Sequence, residues 1–392
     1  MSDPLIQALE RSLDARVAKG MHRRRRVVGA RAGPRTVVDG RELLGFASND
    51  YLGLAGDPAL ARVAADAAMR WGVGSTASPL VCGHFSPHEA LERELAAWVA
   101  PCPGATALTF STGYLANLAI VSALADRGSE VHADRWNHAC LNDGALLARA
   151  RLVRYAHGDL GALARRLAAS RARRKLIATD AVFSMDGDLA PLEGLLSLAE
   201  KHDAWLVVDD AHGFGVLGRG RGTLAELGLA SERIVLMGTL GKAAGVAGAF
   251  VAAHPAVIET IVQFARPYLY STAAPPLLAE TLRASLSLLR DGDARRATLA
   301  RNIARFRAGA ASLPWTLRPS RTAIQPLVVG AAFDAMRLSD ALEARGLFVP
   351  AIRPPTVAPG SARLRVSLSA AHRDADIDTL VEALAAVARD WR

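Results

Sequence analysis

Short apolar runs alternate with amphipathic helices along the middle of the chain, and this alternation restricts the fold more than any other feature. The runs carry β-branched residues and have the length of strands. The predicted strands are 105–110, 175–179, 205–208, 234–237 and 249–252. The predicted helices are 88–100, 114–125, 159–170 and 192–202. Because parallel strands need such crossovers, the pattern predicts an α/β fold with a mostly parallel central sheet flanked by helices.

The chain is expected to divide into three parts, because its 392 residues exceed the usual size of one domain. Residues 1–55 are predicted to form an N-terminal arm, and residues 56–285 a large domain that holds the alternating pattern. Residues 286–392 change to a strand–helix–strand–helix order, which is typical of a smaller α+β domain. A single long helix is predicted over 277–312, at the junction.

The chain is basic, with 47 Lys and Arg against 38 Asp and Glu and a formal charge of +9. Such an excess suits a polyanionic partner, either nucleic acid or an acidic carrier protein. It also suits an Arg-rich protein with solvated basic faces, which is the simpler interpretation. No known nucleic-acid module and no interleaving of aromatic with basic residues is found, so a nucleic-acid partner is not expected.

The three cysteines, Cys82, Cys102 and Cys140, lack the spacing of metal ligands, so no metal site is predicted. Their small, odd number indicates a reducing compartment, and we expect a cytoplasmic protein. Cys82 is expected to be a small buried residue. The longest apolar run, 243–253, is far shorter than the ~20 residues that span a bilayer, so no membrane contact is expected.

A turn of small residues, Ser111-Thr112-Gly113, joins a predicted strand to the helix that begins near Tyr114. Backbone N–H groups at the start of a helix can bind an anion, and small residues allow close approach. Many such turns only cap the helix, so this turn alone is weak evidence for an anion site.

An aspartate and a lysine follow two successive predicted strands. Asp209 comes directly after a buried apolar strand, where a carboxylate is costly without a partner. Lys242 lies among Gly and Ala, where its pKa would be lowered and its amine could act as a nucleophile. Their separation fits one βαβ unit of ~30 residues, so both side chains should project from the same sheet edge. The simpler interpretations are a helix cap for Asp209 and a surface position for Lys242.

Two further polar residues are candidates for the same edge. Ser184 follows the strand at 175–179, and His138 lies in a loop before a helix. A neutral imidazole at His138 could stack on an aromatic cofactor ring, although a helix cap or a surface position is the commoner role. A reactive lysine, an aspartate for a pyridinium nitrogen and a phosphate-binding turn together form the set that a pyridoxal 5′-phosphate (PLP) enzyme needs.

The motifs that contain these residues resemble those of the α-oxoamine synthases, which are PLP-dependent enzymes of fold type I, and the resemblance covers nearly the whole chain. The matching motifs are SNDYLGL (48–54), STGYLAN (111–117), FSMDGD (183–188), VDDAHGFGVLG (208–218), GTLGKA (238–243), YSTAAPP (270–276) and AIRPPTV (351–357).

The resemblance implies PLP as the cofactor and assigns residues to it. Lys242 would form a Schiff base with PLP, Asp209 would pair with the ring nitrogen, and His212 would bind the ring hydroxyl. His138 would stack over the ring, so that these four residues form the catalytic set. The residues implied to hold the cofactor are Gly113, Tyr114, His138, Ser184, Asp209, His212, Thr239 and Lys242.

The resemblance also implies the substrates, which are L-alanine and a pimeloyl thioester, either pimeloyl-CoA or pimeloyl-acyl carrier protein, in biotin biosynthesis. Arg353 would bind the amino-acid carboxylate, with Asn49, Thr356 and His138 nearby. Arg23 would line the entrance for the acyl substrate.

Members of the family are homodimers, which implies that Ser271 and Thr272 reach the cofactor of the neighbouring subunit. One departure from the family pattern is the segment 76–83, which stands where many members have a glycine-rich run. Because this segment lies near the acyl site in the family, the departure bears on the choice of acyl chain more than on the chemistry. Two alternatives stay open: a sibling enzyme that joins glycine to another acyl-CoA, and a non-catalytic basic dimer that binds an acidic carrier or nucleic acid.

Overall fold

A computed structural model describes residues 3–18 and 21–391. The strands are β1 (Val28–Ala32), β2 (Arg35–Val38), β3 (Arg41–Gly45), β4 (Thr106–Phe110), β5 (Ser129–Asp134), β6 (Arg151–Tyr155), β7 (Arg174–Asp180), β8 (Ala204–Asp209), β9 (Ile234–Thr239), β10 (Ala249–Ala253), β11 (Thr316–Leu317), β12 (Ile324–Gly330), β13 (Leu347–Phe348), β14 (Ala351–Ile352) and β15 (Ala362–Ser367). The helices are α1 (Pro4–Ala18), α2 (Pro58–Trp71), α3 (Ser86–Val99), α4 (Gly113–Leu124), α5 (Ala139–Leu147), α6 (Leu160–Ala169), α7 (Leu192–Lys201), α8 (Thr223–Leu227), α9 (Pro255–Phe264), α10 (Arg266–Leu269), α11 (Pro276–Arg290), α12 (Asp293–Ala310), α13 (Ala332–Glu343) and α14 (Asp374–Arg389).

The central sheet has seven strands in the order β4-β10-β9-β8-β7-β5-β6. All neighbours are parallel except β10, which runs antiparallel to both β4 and β9. Along β8, Leu206 and Val208 pack into one apolar cluster and Val207 into the other, on the opposite face. The prediction of a mostly parallel sheet covered on both faces is therefore confirmed.

Two strands of this sheet, β5 and β6, are absent from the sequence-based assignment. Both carry charged residues between their apolar positions, which hides the apolar run that marks a buried strand. Glu130 is nevertheless buried in β5, where its Oε1 accepts a hydrogen bond of 2.9 Å from Arg151 of β6. This cross-strand ion pair compensates the burial of the carboxylate.

Two smaller four-stranded sheets flank the central one, in the orders β1-β2-β3-β13 and β11-β12-β15-β14. The first joins the two ends of the chain, because Leu44 of β3 pairs in parallel with Leu347 of β13. The second is antiparallel and packs against α13, which in turn contacts α14. None of the helices within the described residues is long and apolar enough to cross a membrane.

The prediction of one helix over 277–312 is wrong. The structure has two helices, α11 and α12, which are separated at Asp291 and Gly292. Asp291 ends the first helix, and its N–H donates to the carbonyl oxygens of Ser287 and Leu289. Apolar periodicity continues across the break, so the break itself is marked only by the Asp-Gly-Asp sequence.

Gly187 connects the loop at 183–188 to the second small sheet and offers a test of stability. Its φ is +71°, and its carbonyl oxygen accepts hydrogen bonds from Ser320 Oγ (3.0 Å) and Thr322 Oγ1 (3.1 Å). A Cβ at this position would collide with the carbonyl oxygen of Ile324. We expect Gly187→Ala to lower the free energy of unfolding by about 2 kcal/mol or more, as measured by denaturant titration.

Gly228 provides the matched control, because its φ is +65° and nothing lies within 4 Å of the position of its missing Cβ. Gly228→Ala should therefore cost only the backbone strain, about 1 kcal/mol. Equal losses for the two variants would contradict a steric role for Gly187.

Candidate active site

The candidate site lies where β7, β8 and β9 end, at the carboxyl edge of the central sheet. Asp209 is the last residue of β8 and Thr239 the last of β9, and Lys242 follows three residues later. The Asp209 carboxylate acts electrostatically on the Lys242 amine. The structure thus places the two side chains at one edge, as their spacing in the sequence predicts.

A chain of hydrogen bonds begins at the lysine amine. Lys242 Nζ lies 2.8 Å from His212 Nε2, and His212 Nδ1 lies 2.6 Å from the hydroxyl of Tyr51. That hydroxyl donates to Asn49 Oδ1 at 3.1 Å, so it must accept at its oxygen from the histidine. His212 therefore carries its proton on Nδ1 and accepts from Lys242 at Nε2.

The charge states of the residues in this hydrogen-bond chain follow from their burial. Burial lowers the pKa of Lys242; the nearby Asp209 opposes this effect and Arg365 adds to it. Burial, helped by the positive charge of Lys242, holds the pKa of His212 well below its usual value. A neutral imidazole thus faces an amine that loses its proton more easily than a surface lysine does.

The Asp209 carboxylate is buried and only partly satisfied by the protein. Its Oδ2 accepts from Asn117 Nδ2 at 2.7 Å, and its Oδ1 accepts from the N–H of Ala211 at 3.0 Å. Each carboxylate oxygen has a further lone pair, so the group can accept from one more donor, such as a protonated ring nitrogen. Asn117 is itself fully buried and also contacts Cys140 Sγ at 3.1 Å.

His138 caps the helix that follows it. It precedes α5, its Nδ1 accepts from the N–H of Cys140, and its own N–H donates to Asp180 Oδ2 at 2.7 Å. The ring meets that of Tyr114 edge to face, with centroids 6.4 Å apart. Capping a helix is the commoner of the roles that the sequence allows for His138. The capping contact leaves the exposed ring able to pack against a ligand.

The turn at 111–113 forms the start of α4. Thr112 is the N-cap, and its Oγ1 accepts from the N–H of Leu115 at 3.2 Å. The N–H groups of Gly113 and Tyr114, at the first two positions of the helix, have no partner within a helix and point toward its N-terminal end. They can bind a phosphate there, as the anion-site interpretation predicts.

The other predicted substrate residues fall into two groups. Arg353, Thr356 and Arg23 meet at the arm: Arg353 Nη2 donates to the carbonyl of His22 at 2.8 Å, and Arg23 Nη2 lies 3.4 Å from Thr356 Oγ1. Asn49 instead belongs to the hydrogen-bond chain of Lys242. Asn49 thus contacts Tyr51 and Arg365, whereas Arg353 and Arg23 contact the segment at 22 and Thr356.

Arg365 is a residue of the site that the sequence reasoning missed. It is buried in β15, and its Nη1 donates to Asn49 Oδ1 at 3.2 Å while its Nε donates to the carbonyl of Ser184 at 2.6 Å. Its charge also lowers the pKa of both His212 and Lys242. Arg365 thus brings Asn49 and the loop of Ser184 to the lysine.

Other missed residues are Tyr51, Asn117, Cys140 and Asp180. Asp180 ends β7 beside Asp209, and burial together with that neighbouring charge raises its pKa well above the usual value. Asp180 could have been found from the sequence, because it directly follows the predicted strand at 175–179. Asn117 and Cys140 lie within helices, where their sequence positions carry no such signal.

A pocket beside the site is lined by Ser271 and Thr272 together with Ser111 and His84. His84 also belongs to one set of potential metal ligands found among residues 3–18 and 21–391, with Glu89 and Glu92. His84 Nε2 is 3.2 Å from Glu89 and 4.0 Å from Glu92, as in an ion pair.

The expectation that Cys82 is buried is wrong, because Cys82 lies exposed in a helical turn at 79–83.

Residues 41–384 match the family model of class I and II aminotransferases. The chain therefore belongs to the class I and II aminotransferase family. It is 56% identical to the 8-amino-7-oxononanoate synthase of Leptothrix cholodnii, over 98% of this chain and 99% of that protein. It is 57% identical to the 8-amino-7-oxononanoate synthase of Azoarcus sp. strain BH72, over 97% of each chain. The resemblance inferred from the motifs is confirmed.

Solved structures of two enzymes have the same fold as this chain. Serine palmitoyltransferase of Sphingomonas wittichii superposes with a TM-score of 0.92 at 29% identity and 99% coverage of both chains. The 8-amino-7-oxononanoate synthase of Francisella tularensis superposes with a TM-score of 0.76 at 29% identity, over 89% of this chain and 98% of that one. These likenesses confirm the fold class.

Proposed function

We propose that this chain catalyses the reaction of an 8-amino-7-oxononanoate synthase, with PLP as its cofactor. In this reaction the Cα of L-alanine forms a bond to the acyl carbon of a pimeloyl thioester, the thiol leaves, and the alanine carboxylate is lost as CO2. The observation that carries the proposal is that the Lys242 amine, 2.8 Å from His212 Nε2, lies at the same sheet edge as the buried Asp209 carboxylate. Relatives named for this reaction, at 56–57% identity, support the choice of substrates.

The residues present fit PLP on three counts: a buried amine, a carboxylate with a free acceptor position, and a helix start with unpaired N–H groups. When bound, PLP would withdraw electrons from the bond that is broken at the amino-acid Cα. Lys242 would hold PLP covalently, and Asp209 would hold the proton on the ring nitrogen. The start of α4 with Gly113 and Tyr114 would bind the phosphate, and His138 would cover the ring.

Proton transfer at Cα is the task of Lys242. Because burial lowers the pKa of its amine, Lys242 gives up its proton more readily than an exposed lysine, and the free amine can accept the proton from Cα and return it later. His212 accepts a hydrogen bond from Nζ and so keeps the amine directed into the site. Thr239, the last residue of β9, and Ser184, in the loop at 183–188, would complete the contacts to the cofactor.

We assign the alanine carboxylate to Arg365 rather than to Arg353. Arg365 is linked through Asn49 to the hydrogen-bond chain of Lys242, whereas Arg353 contacts the arm. Arg353, Thr356 and Arg23 would instead line the approach of the acyl thioester, whose carrier is CoA or acyl carrier protein. The formal charge of +9 suits both anionic carriers.

If Arg365 binds the alanine carboxylate, substitutions of Arg365 and Arg353 should differ in their effect on the KM for L-alanine. Arg365→Lys should raise the KM for L-alanine about 10- to 100-fold, because lysine cannot reproduce the forked hydrogen bonds of a guanidinium. Arg353→Lys, the control, should change this KM by less than about threefold. Steady-state kinetics with alanine varied would measure both, and the reverse ranking would return the carboxylate to Arg353.

We further propose a cytoplasmic homodimer, in which Ser271 and Thr272 approach the cofactor of the partner. Large apolar side chains exposed at Phe264, Tyr270 and Val81 support such an interface. Light scattering would measure the mass in solution.

The experiment that tests the function is an assay of purified protein with L-alanine or glycine, crossed with pimeloyl-CoA, acetyl-CoA and a long-chain acyl-CoA. We expect release of CO2 and thiol mainly with alanine and pimeloyl-CoA. A preference for glycine with another acyl-CoA would instead establish the sibling enzyme. A colourless protein that binds nucleic acid or an acidic carrier without turnover would establish the non-catalytic alternative.

A further inference from the structure

His157 lies at the same edge of the central sheet, yet no step of the proposed reaction uses it. It follows β6, the edge strand next to β5, and its ring is held between two carboxylates. His157 Nδ1 lies 3.1 Å from Asp134 Oδ1, and His157 Nε2 lies 2.7 Å from Asp188 Oδ2. Since both ring nitrogens face acceptors, both must carry protons, and the ring is an imidazolium.

Aromatic rings enclose the imidazolium on the two sides that the carboxylates leave open. Trp136 stacks on it with centroids 3.8 Å apart and planes 15° apart. Phe183 meets it edge to face, with centroids 4.4 Å apart. This packing fixes the orientation of the ring and favours its positive charge.

The carboxylates depend on His157 to different degrees. Asp134 also accepts from the N–H groups of Trp136 (2.8 Å) and Gly158 (2.9 Å), so it has two donors besides His157. Asp188 accepts from His157 at Oδ2, whereas its Oδ1 is buried without a hydrogen-bond partner among the described residues. A neutral His157 would therefore leave the charge of Asp188 poorly compensated.

The groups that His157 joins belong to two segments that carry cofactor residues. The first, residues 134–138, begins at Asp134, includes Trp136 and ends at His138. The second is the loop at 183–188, in which Ser184 lies next to Phe183 and accepts from Arg365 through its carbonyl. Within the part of the chain that the structure describes, the imidazolium contacts both segments and so ties them together.

We propose that His157, in its protonated form, is a positioning residue that sets His138 and the loop of Ser184 against the bound cofactor. The inference rests on the proposed function only in taking PLP as the ligand. Burial alone would lower the pKa of His157, but the hydrogen bonds and charges of Asp134 and Asp188 outweigh it and raise this pKa to about 9. The folded-state pKa exceeds the ordinary value, so the tie is complete at low pH and is lost as the pH rises through about 9.

The test follows the circular dichroism of bound PLP between pH 6 and 10 in the holoenzyme, together with the Kd of PLP for the apoprotein. The wild-type signal should fall with a midpoint near pH 9. Asp188→Asn removes one of the two facing charges and should lower the midpoint by about one pH unit. His157→Gln should abolish this transition and raise the Kd about tenfold, as expected for loss of a charged hydrogen bond.

His202→Gln, at the end of α7, is the matched control and should behave as wild type. An unchanged midpoint in Asp188→Asn would overturn the proposal, as would a wild-type signal and Kd in a folded His157→Gln variant. If His157→Gln does not fold, Asp188→Asn alone decides. Because neither readout involves alanine or the acyl thioester, failure of the proposed reaction would leave this test intact.

Discussion

Replacing Lys242 with alanine should lower kcat by about 10⁴-fold or more and remove the visible absorbance of bound PLP near ~420 nm. The reason is that, in the proposed reaction, one amine both holds the cofactor and moves the proton at Cα. Lys242 is the amine that His212 holds at 2.8 Å, at the edge where Asp209 ends its strand. Product formation and the absorbance spectrum would be measured on the same purified sample.

Lys201 provides the control for this substitution, because it lies exposed in the last turn of α7. Lys201→Ala should keep both kcat and the absorbance band. A Lys242→Ala protein that still turned over substrate at the wild-type rate would show that the amine is not the catalytic base.

The second large effect is expected for Asp209→Asn, with a loss in kcat of about 10²- to 10³-fold. The amide keeps the shape of the side chain but cannot balance the charge of a protonated ring nitrogen. Turnover and the pH dependence of the PLP spectrum would be measured together, since the ring should lose its proton more readily in this variant.

The next residue supplies a demanding control. Asp210 is as buried as Asp209, and burial raises its pKa to about 7. Its carboxylate, however, accepts from the hydroxyl (2.6 Å) and the N–H (2.7 Å) of Thr223, at the start of α8. Asp210→Asn should cost about 1–3 kcal/mol of stability while kcat stays within about twofold. Equal losses of kcat in both variants would mean that Asp209 is also only structural.

The sequence was sufficient for those parts of the site that follow directly from strand order. Asp209 and Lys242 come after apolar strands that are neighbours and parallel, so their places in the chain determine their places in space. The same logic could have reached Asp180, which ends β7 next to Asp209. The resemblance to the α-oxoamine synthases then assigned the cofactor, which no pattern of apolar residues could identify.

Arg365 shows why the rest of the site could not be predicted in the same way. In β15, Arg363 and Arg365 alternate with Leu364 and Val366, a pattern that normally indicates a strand with one face in water. Both arginines are nevertheless buried, at 3% and 6% exposure. Their partners, Asp186 and the carbonyl of Ser184, come from a loop about 180 residues earlier, so only the folded arrangement reveals the interaction.

Fold prediction failed where a local signal was weak or mixed. The break between α11 and α12 is marked only by the Asp-Gly-Asp sequence at 291–293, and β5 and β6 were obscured by the charged residues that they pair across the sheet. In each case tertiary contacts determine the secondary structure that the local sequence leaves undecided.

The sheet that joins both ends of the chain has a consequence for how the protein is made. β3 cannot pair with β13 until the ribosome has passed Phe348, and Asn49 cannot meet Arg365, which lies 316 residues later. The central sheet, whose strands end at Ala253, can form earlier during synthesis. Lys242 and Asp209 can thus be in place before Arg365, the residue proposed to bind the alanine carboxylate, has been synthesised. If that proposal holds, the nascent chain acquires its substrate selectivity last.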